Sequence, residues 1–177
     1  IPLPPSAPTR NIPRLIPAAK LVFREGIEIT ALAASRAGWA TLCRLLSTGR
    51  LRAEKGHCDL SLTDLPQDMA GLALILHPPQ ALPVPCGAGP WLTQAQQLSR
   101  RLAGQMHLAI APRYDGQDAQ RFDHIAALGQ SLNLPLVATA EPRMHHGRRR
   151  RLADVLTAIR TGRRVDSLGR AALANAE

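Results

Sequence analysis

The sequence predicts an α/β fold with parallel strand–helix alternation, and three observations carry that expectation. From Leu72 onward, three apolar runs, LALIL, HLAIA and LPLVATA, alternate with three stretches of helical periodicity. The runs are apolar throughout rather than at every second residue, the pattern of strands covered by helices. Apolar residues make up 45% of the 177 residues and aromatic ones 3%, so the core must be built mainly from Leu, Ala, Ile and Val. Periodicity does not distinguish a barrel from an open sheet; in both, sites gather at the carboxyl ends of strands.

The elements follow in order. Residues 1–19 read as an extended, proline-rich lead-in, because six prolines fall within residues 1–17 and no apolar period is present. KLVFREGIEITALAA gives two β-branched runs around Arg24, Glu25 and Gly26, a hairpin or strand pair. SRAGWATLCRLLSTG predicts a helix capped by Ser35 and ended by Gly49, burying Trp39, Leu42, Leu45 and Leu46 while Arg36 and Arg44 face water. WLTQAQQLSRRLAG and DAQRFDHIAALGQSLN follow as crossover helices between the apolar strands. RRRRLADVLTAIRTG is the last helix, with Leu152, Val155, Leu156 and Ile159 as its expected buried stripe and Asp154 spaced to pair with Arg150 or Arg151.

Charge and composition narrow the function. A formal charge of +9 favours an anionic partner, since Lys and Arg gain affinity by releasing counterions from phosphates. With so few aromatic residues the chain offers no stacking platform for single strands. No helix-turn-helix, zinc-finger or RNP signature accompanies the arginines, so an independent DNA-binding protein has charge alone behind it. Cys43, Cys58 and Cys86 are odd in number and lack CxxC spacing, against a disulfide framework or zinc knuckle and in keeping with a reducing cytoplasm. No apolar run reaches the roughly 18 residues of a membrane span, and the lead-in has too many prolines for a signal peptide. An isoleucine at the first position points to a piece of a longer chain.

The expected strand ends hold His77, then Pro112, Arg113 and Tyr114, then Glu141, Arg143, His145 and His146. Neutral imidazoles and a carboxylate there suit Zn, Mn or Fe. A hydrolytic centre needs three or more converging ligands with an open position, and Arg143 adds a positive charge. His77, Glu141 and His145 are therefore weak candidates, and no metal, catalytic or cofactor-binding residue is expected. His57 and Cys58, being adjacent, read as a loop rather than a chelate. Arg148, Arg149, Arg150 and Arg151 fall at a helix start, where exposed N–H groups make each cation unfavourable by up to about 1 kcal/mol. They read first as a solvated, partly paired helix start, then as a surface for docking other domains or nucleic-acid phosphates.

Two long stretches carry a family resemblance. GWATLCRLLSTGRLRAEKGHCDLSLTDL resembles the stretch after the early strands of the PHP (polymerase and histidinol phosphatase) domain in bacterial error-prone DNA polymerases, relatives of the DNA polymerase III alpha subunit. LPLVATAEPRMHHGRRRRLADVLTAIRTG is similar to that family's PLVATND…YH…RRRLQDVLT.IR.G, and ALANAE to the segment leading toward the polymerase core. The likeness runs in order over residues 15–177. It implies a partial (β/α)₇ barrel lacking its first strands over residues 20–162, a linker over 163–177, the remaining polymerase domains as partners, DNA contacted through the parent protein, and no membrane. It also implies Mg in the parent polymerase, and Zn or Mn here only if the PHP site is intact. The family's His-x-His pair has no counterpart; its later Glu falls at Lys20, its strand-end Cys near Pro78, and its Asp-x-His at Glu141, Pro142 and Arg143. Lysine and arginine at ligand positions repel a divalent ion. The resemblance thus implies a noncatalytic scaffold segment, with a stand-alone PHP-type metal-dependent phosphoesterase as the alternative.

Overall fold

A computed structural model describes residues 15–79, 89–114, 116–140, 144–169 and 172. Five strands form one sheet in chain order: β1 Ala18–Val22, β2 Glu28–Ala33, β3 Leu72–His77, β4 Met106–Ile110 and β5 Leu136–Ala138. Four helices accompany them: α1 Arg36–Arg52, α2 Pro90–Arg101, α3 Asp118–Leu132 and α4 Arg150–Thr161. The α/β expectation holds, but the sheet is mixed. β3, β4 and β5 run parallel, whereas β1–β2 and β2–β3 are antiparallel. The first reversal is forced by the short turn at Arg24–Gly26, which cannot span a crossover. The second arises because α1 and the segment after it make a round trip. Gly71, just before β3, returns to the start of α1, where its carbonyl accepts from Ala34 N and Ser35 N at 2.9 and 3.2 Å.

Ser35 caps α1 as its sequence position predicts, its hydroxyl accepting from Gly38 N at 3.1 Å. Gly49 does not end the helix; α1 continues to Arg52. That glycine is a packing residue, because a Cβ there would lie 2.7 Å from Cys58 Sγ and 2.8 Å from Leu60 Cδ2. Trp39 is also not buried. It is 45% exposed, while Leu42 and Leu45 are 0% and 4% exposed and Leu46 packs at the margin of the core.

Alternation along each strand sorts the sheet into two unlike faces. Leu21, Ile29, Ala31, Leu74, Leu76, Met106 and Leu108 share one face and pack with Leu42, Leu45, Ala95, Leu98, Ile125 and Leu132 of α1, α2 and α3 and with Leu102 at the end of α2. The other face carries Lys20, Val22, Glu28, Thr30, Ile75, His77, His107 and Val137, and none of these belongs to that buried cluster. Ala109 is buried on this second face but apart from the cluster.

Leu45→Ala is expected to cost about 2–5 kcal/mol in urea unfolding, the range for deleting a packed leucine side chain, whereas the same truncation at half-exposed Trp39 should cost less. Gly38→Ala should cost about 1–3 kcal/mol by overpacking, since a Cβ there would lie 1.9 Å from Gly71 O; an unchanged urea midpoint would mean that this crossing is looser than described.

Candidate functional site

The carboxyl ends of β3, β4 and β5 lie at one end of the sheet, beside the β1–β2 turn, because Glu28 is the register partner of both His77 and Val22. His77 closes β3 on the less covered face, and its Nε2 shares a 2.8 Å hydrogen bond with Thr30 Oγ1. Lys20, in register with Thr30, places Nζ 2.6 Å from Glu28 Oε2. Among the described residues, the β1–β2–β3 part of this surface carries an ammonium–carboxylate pair and a hydroxyl–imidazole pair. Both members of the ion pair are more than 40% exposed, so it adds little stability, and it sets an ammonium on the same sheet face as His77.

After β4, Asp118 organises the loop. Its carboxylate accepts from Arg113 N at 2.9 Å and Tyr114 N at 2.8 Å, and it pairs with the buried guanidinium of Arg121. Tyr114 is held at φ 55, uncommon outside glycine, and is 58% exposed. After β5, Glu141 and Arg143 lie outside the described residues, as do Pro142 and Cys86. His145 is exposed, and His146 turns its Nδ1 to accept from Arg148 N at 3.1 Å. Pro78 is half-buried. Among the described residues no three His, Cys, Asp or Glu side chains group so as to hold a metal ion.

Sequence reasoning missed an ionic clasp beside the β1–β2 turn. Arg24 pairs bidentately with Asp59, and Arg52 with Asp64 through Nη1–Oδ2 at 2.9 Å and Nη2–Oδ1 at 2.8 Å. Glu25 accepts from Ser61 Oγ at 2.6 Å and Leu62 N at 3.1 Å, fastening the turn to the short helical segment Leu62–Asp64. The only sequence signal was Ser61 followed three residues later by Asp64, a capping box with Asp in place of the commoner Glu. His57 and Cys58 lie in the loop before it, as the sequence predicts, and both are exposed.

The basic run lies partly in a helical turn, Gly147–Arg149, and only then enters α4 at Arg150. Arg150 pairs with Asp154 at 3.5 Å, the spacing expected from sequence. Arg148, Arg149 and Arg151 are exposed. The stripe of Leu152, Val155, Leu156 and Ile159 is not buried: these residues are 53%, 40%, 59% and 73% exposed, and the helix buries Thr157 and Ala158 instead. Helical periodicity identifies an apolar side but not what covers it, and among the described residues the buried core does not. No helix among the described residues is long and apolar enough to cross a membrane.

Over 174 residues the chain is 42% identical to the error-prone DNA polymerase of Ruegeria pomeroyi, a match covering 98% of this chain and 15% of that polymerase. It is 37% identical over 166 residues to the error-prone DNA polymerase of Rhodopseudomonas palustris strain BisB5, covering 93% and 15%. With that of Pseudomonas aeruginosa it shares 34% over 164 residues, again 93% and 15%. The chain is thus similar to a segment of an error-prone DNA polymerase, and it spans about 15% of the length of these curated relatives. No protein-family model matches it.

The clasp has a pH signature. Arg52, and after it the Ser61 N–H, hold the Asp64 carboxyl down to about 2 from 3.8; Asp59 is lowered by Arg24, and Glu25 by the Ser61 hydroxyl. Folded values below the unfolded ones give stability that is fully present above the unfolded pKa, near pH 4, and is lost as pH falls through the folded value. The urea midpoint is expected to drop between pH 4 and 2, and Arg52→Ala should flatten that drop. Parallel pH profiles for the two proteins would remove the clasp from the account.

Proposed function

We propose that the chain is a noncatalytic scaffold segment, a degenerate PHP domain, of an error-prone DNA polymerase that acts in template-directed synthesis and damage tolerance. One observation carries the scaffold reading. On the sheet face that lacks helix packing in the main core, Lys20 pairs with Glu28, and His77 is engaged by Thr30. The family resemblance implies a ligand at Lys20; an ammonium cannot ligate, and it raises the local potential against a divalent ion. The residues present do not fit a PHP metal centre, so no hydrolytic step is derived through one.

Among the described residues the main core lies on one face of the sheet, which supports the partial-barrel reading for the parallel strands β3, β4 and β5, while β1 and β2 pair antiparallel, unlike strands of a parallel barrel. A barrel strand turns one row of side chains outward to helices and the other inward to the lumen, and the face of Lys20, Thr30, Ile75 and His107 is the row that further strands would enclose. In this reading residues 20–162 form the domain, residues 163–177 lead toward the polymerase core, and the remaining polymerase domains are the partners. DNA and Mg belong to the chemistry of the parent enzyme in the cytoplasm, and Zn or Mn would enter only with an intact site.

Metal analysis of the purified chain is expected to give Zn, Mn and Fe far below one equivalent. Near-stoichiometric metal, with hydrolysis of a phosphomonoester, would favour the phosphoesterase instead. The basic run is expected to be a solvated helix start with respect to DNA. Replacing Arg148 and Arg149 with Ala should leave the salt dependence of weak duplex binding unchanged. A slope of log affinity against log salt reduced by ~1.8, at about 0.9 for each phosphate no longer neutralised, would assign them to DNA.

A further inference from the structure

The side of α4 turned to the rest of the chain is its polar, small-residue side. Thr157 and Ala158 are buried, Thr157 Oγ1 donates to Ala153 O at 2.9 Å, and Asp154 keeps one carboxylate oxygen buried while the other meets Arg150. Leu152, Val155, Leu156 and Ile159, at i, i+3, i+4 and i+7, lie on the opposite side and are 40–73% exposed. A helix on the surface of a self-contained domain has the reverse arrangement, and contiguous exposed apolar patches mark interaction sites.

Charge defines what can cover the stripe. At 3.6 residues per turn, Arg151 and Arg160 flank it on either side, with Arg148 and Arg149 before the helix and Arg163 and Arg164 after it. Residues 144–169 contain seven arginines against two acids, and both acids are taken, Asp154 by Arg150 and Asp166 by Arg164 at 2.8 Å. A second copy would bring arginine rim onto arginine rim in a chain of charge +9. Duplex DNA would answer the arginines but leave the aliphatic side chains wet. The relatives extend far beyond the matched segment, which is 15% of their length, so most of such a polymerase is available to supply a matching surface.

We infer that the stripe of Leu152, Val155, Leu156 and Ile159 docks an apolar surface rimmed with carboxylates elsewhere in the same polymerase, the exposed arginines that flank the stripe on and beside α4 pairing with that rim. This inference rests on the scaffold reading above.

The test grafts this chain into the Ruegeria pomeroyi polymerase in place of the matched segment and follows maleimide labelling of the thiol introduced by Ile159→Cys, each rate normalised to that of the same protein in urea. In the chain alone the thiol should label at nearly its unfolded rate at any concentration; in the graft it should label at least tenfold more slowly. Adding Arg151→Glu and Arg160→Glu should restore most of the rate in the graft. Fast labelling in the graft overturns the inference, as does protection that survives the two charge reversals. Slow labelling in the chain alone also overturns it, pointing to a second copy if the rate depends on concentration and to cover from the chain itself if it does not. Primer extension by the graft reads the scaffold proposal separately: an active graft with a reactive thiol removes the docking and keeps the scaffold. Should the graft not fold, the probe is a helical peptide with a leucine stripe flanked by glutamates. It must bind the native chain at least tenfold more tightly than its lysine-flanked twin, and lose that margin against the Leu156→Glu, Ile159→Glu chain; equal affinities overturn the inference.

Discussion

The start of α1 lies so close to the start of β3 that a Cβ on either glycine at the crossing would force its neighbours to shift. A Cβ on Gly38 would lie 1.9 Å from Gly71 O, and one on Gly71 would lie 2.0 Å from Ser35 Oγ. Gly71 also sits at φ +78, where a side chain is strained whatever the space. The gain from this approach is that Gly71 O takes the N–H groups of Ala34 and Ser35 while Ser35 Oγ takes that of Gly38. The end of β2, the cap of α1 and the beginning of β3 are thereby fixed at one point, which makes β3 antiparallel to β2 and sets the register from Ala33–Leu72 to Glu28–His77. Everything after β3 is built on that edge.

The elements were legible because their signals are local. The apolar runs at Leu72, Met106 and Leu136, Ser35 as a cap, and the turn around Gly26 all act within a few residues of where they appear. The direction of β2 relative to β3 was not legible, because it depends on a round trip through α1 and back to Gly71. Gly49 misleads for a related reason: a glycine near a helix end commonly terminates it, and only the neighbouring Leu60 and Cys58 reveal that this one admits a close approach.

Of the strand-end residues, His77 and Arg113 come where the alternation puts them, and the Arg150–Asp154 pair follows from helical spacing alone. The Thr30 and Glu28 partners that occupy this surface were out of reach, since they are brought in by the antiparallel strand. The clasp of Arg24, Asp59, Arg52 and Asp64 joins residues far apart in the chain, and a charge pattern carries no information about such pairs. For α4 the amphipathic pattern is correct, but the apolar side it marks is exposed and the helix buries Thr157 and Ala158. Periodicity reports which side of a helix is apolar, and burial depends on what the rest of the fold brings to it.

The mixed sheet also has a temporal consequence. β1 and β2 are joined by a short turn and can pair as soon as both exist, on the microsecond scale of hairpins, whereas β3 must await α1 and the long return to Gly71, and β4 and β5 each await a crossover helix. Non-local pairing of this kind slows folding because loop closure comes before the interactions that reward it. On a ribosome, where the chain emerges at roughly 5–20 residues per second, the hairpin and α1 are therefore complete seconds before Leu74 and Leu76 arrive to cover Ile29 and Ala31. The hydrogen-bonding edge of β2 is open during that interval, with the charged Glu28 at its start as the one side chain along it of the kind that discourages edge pairing.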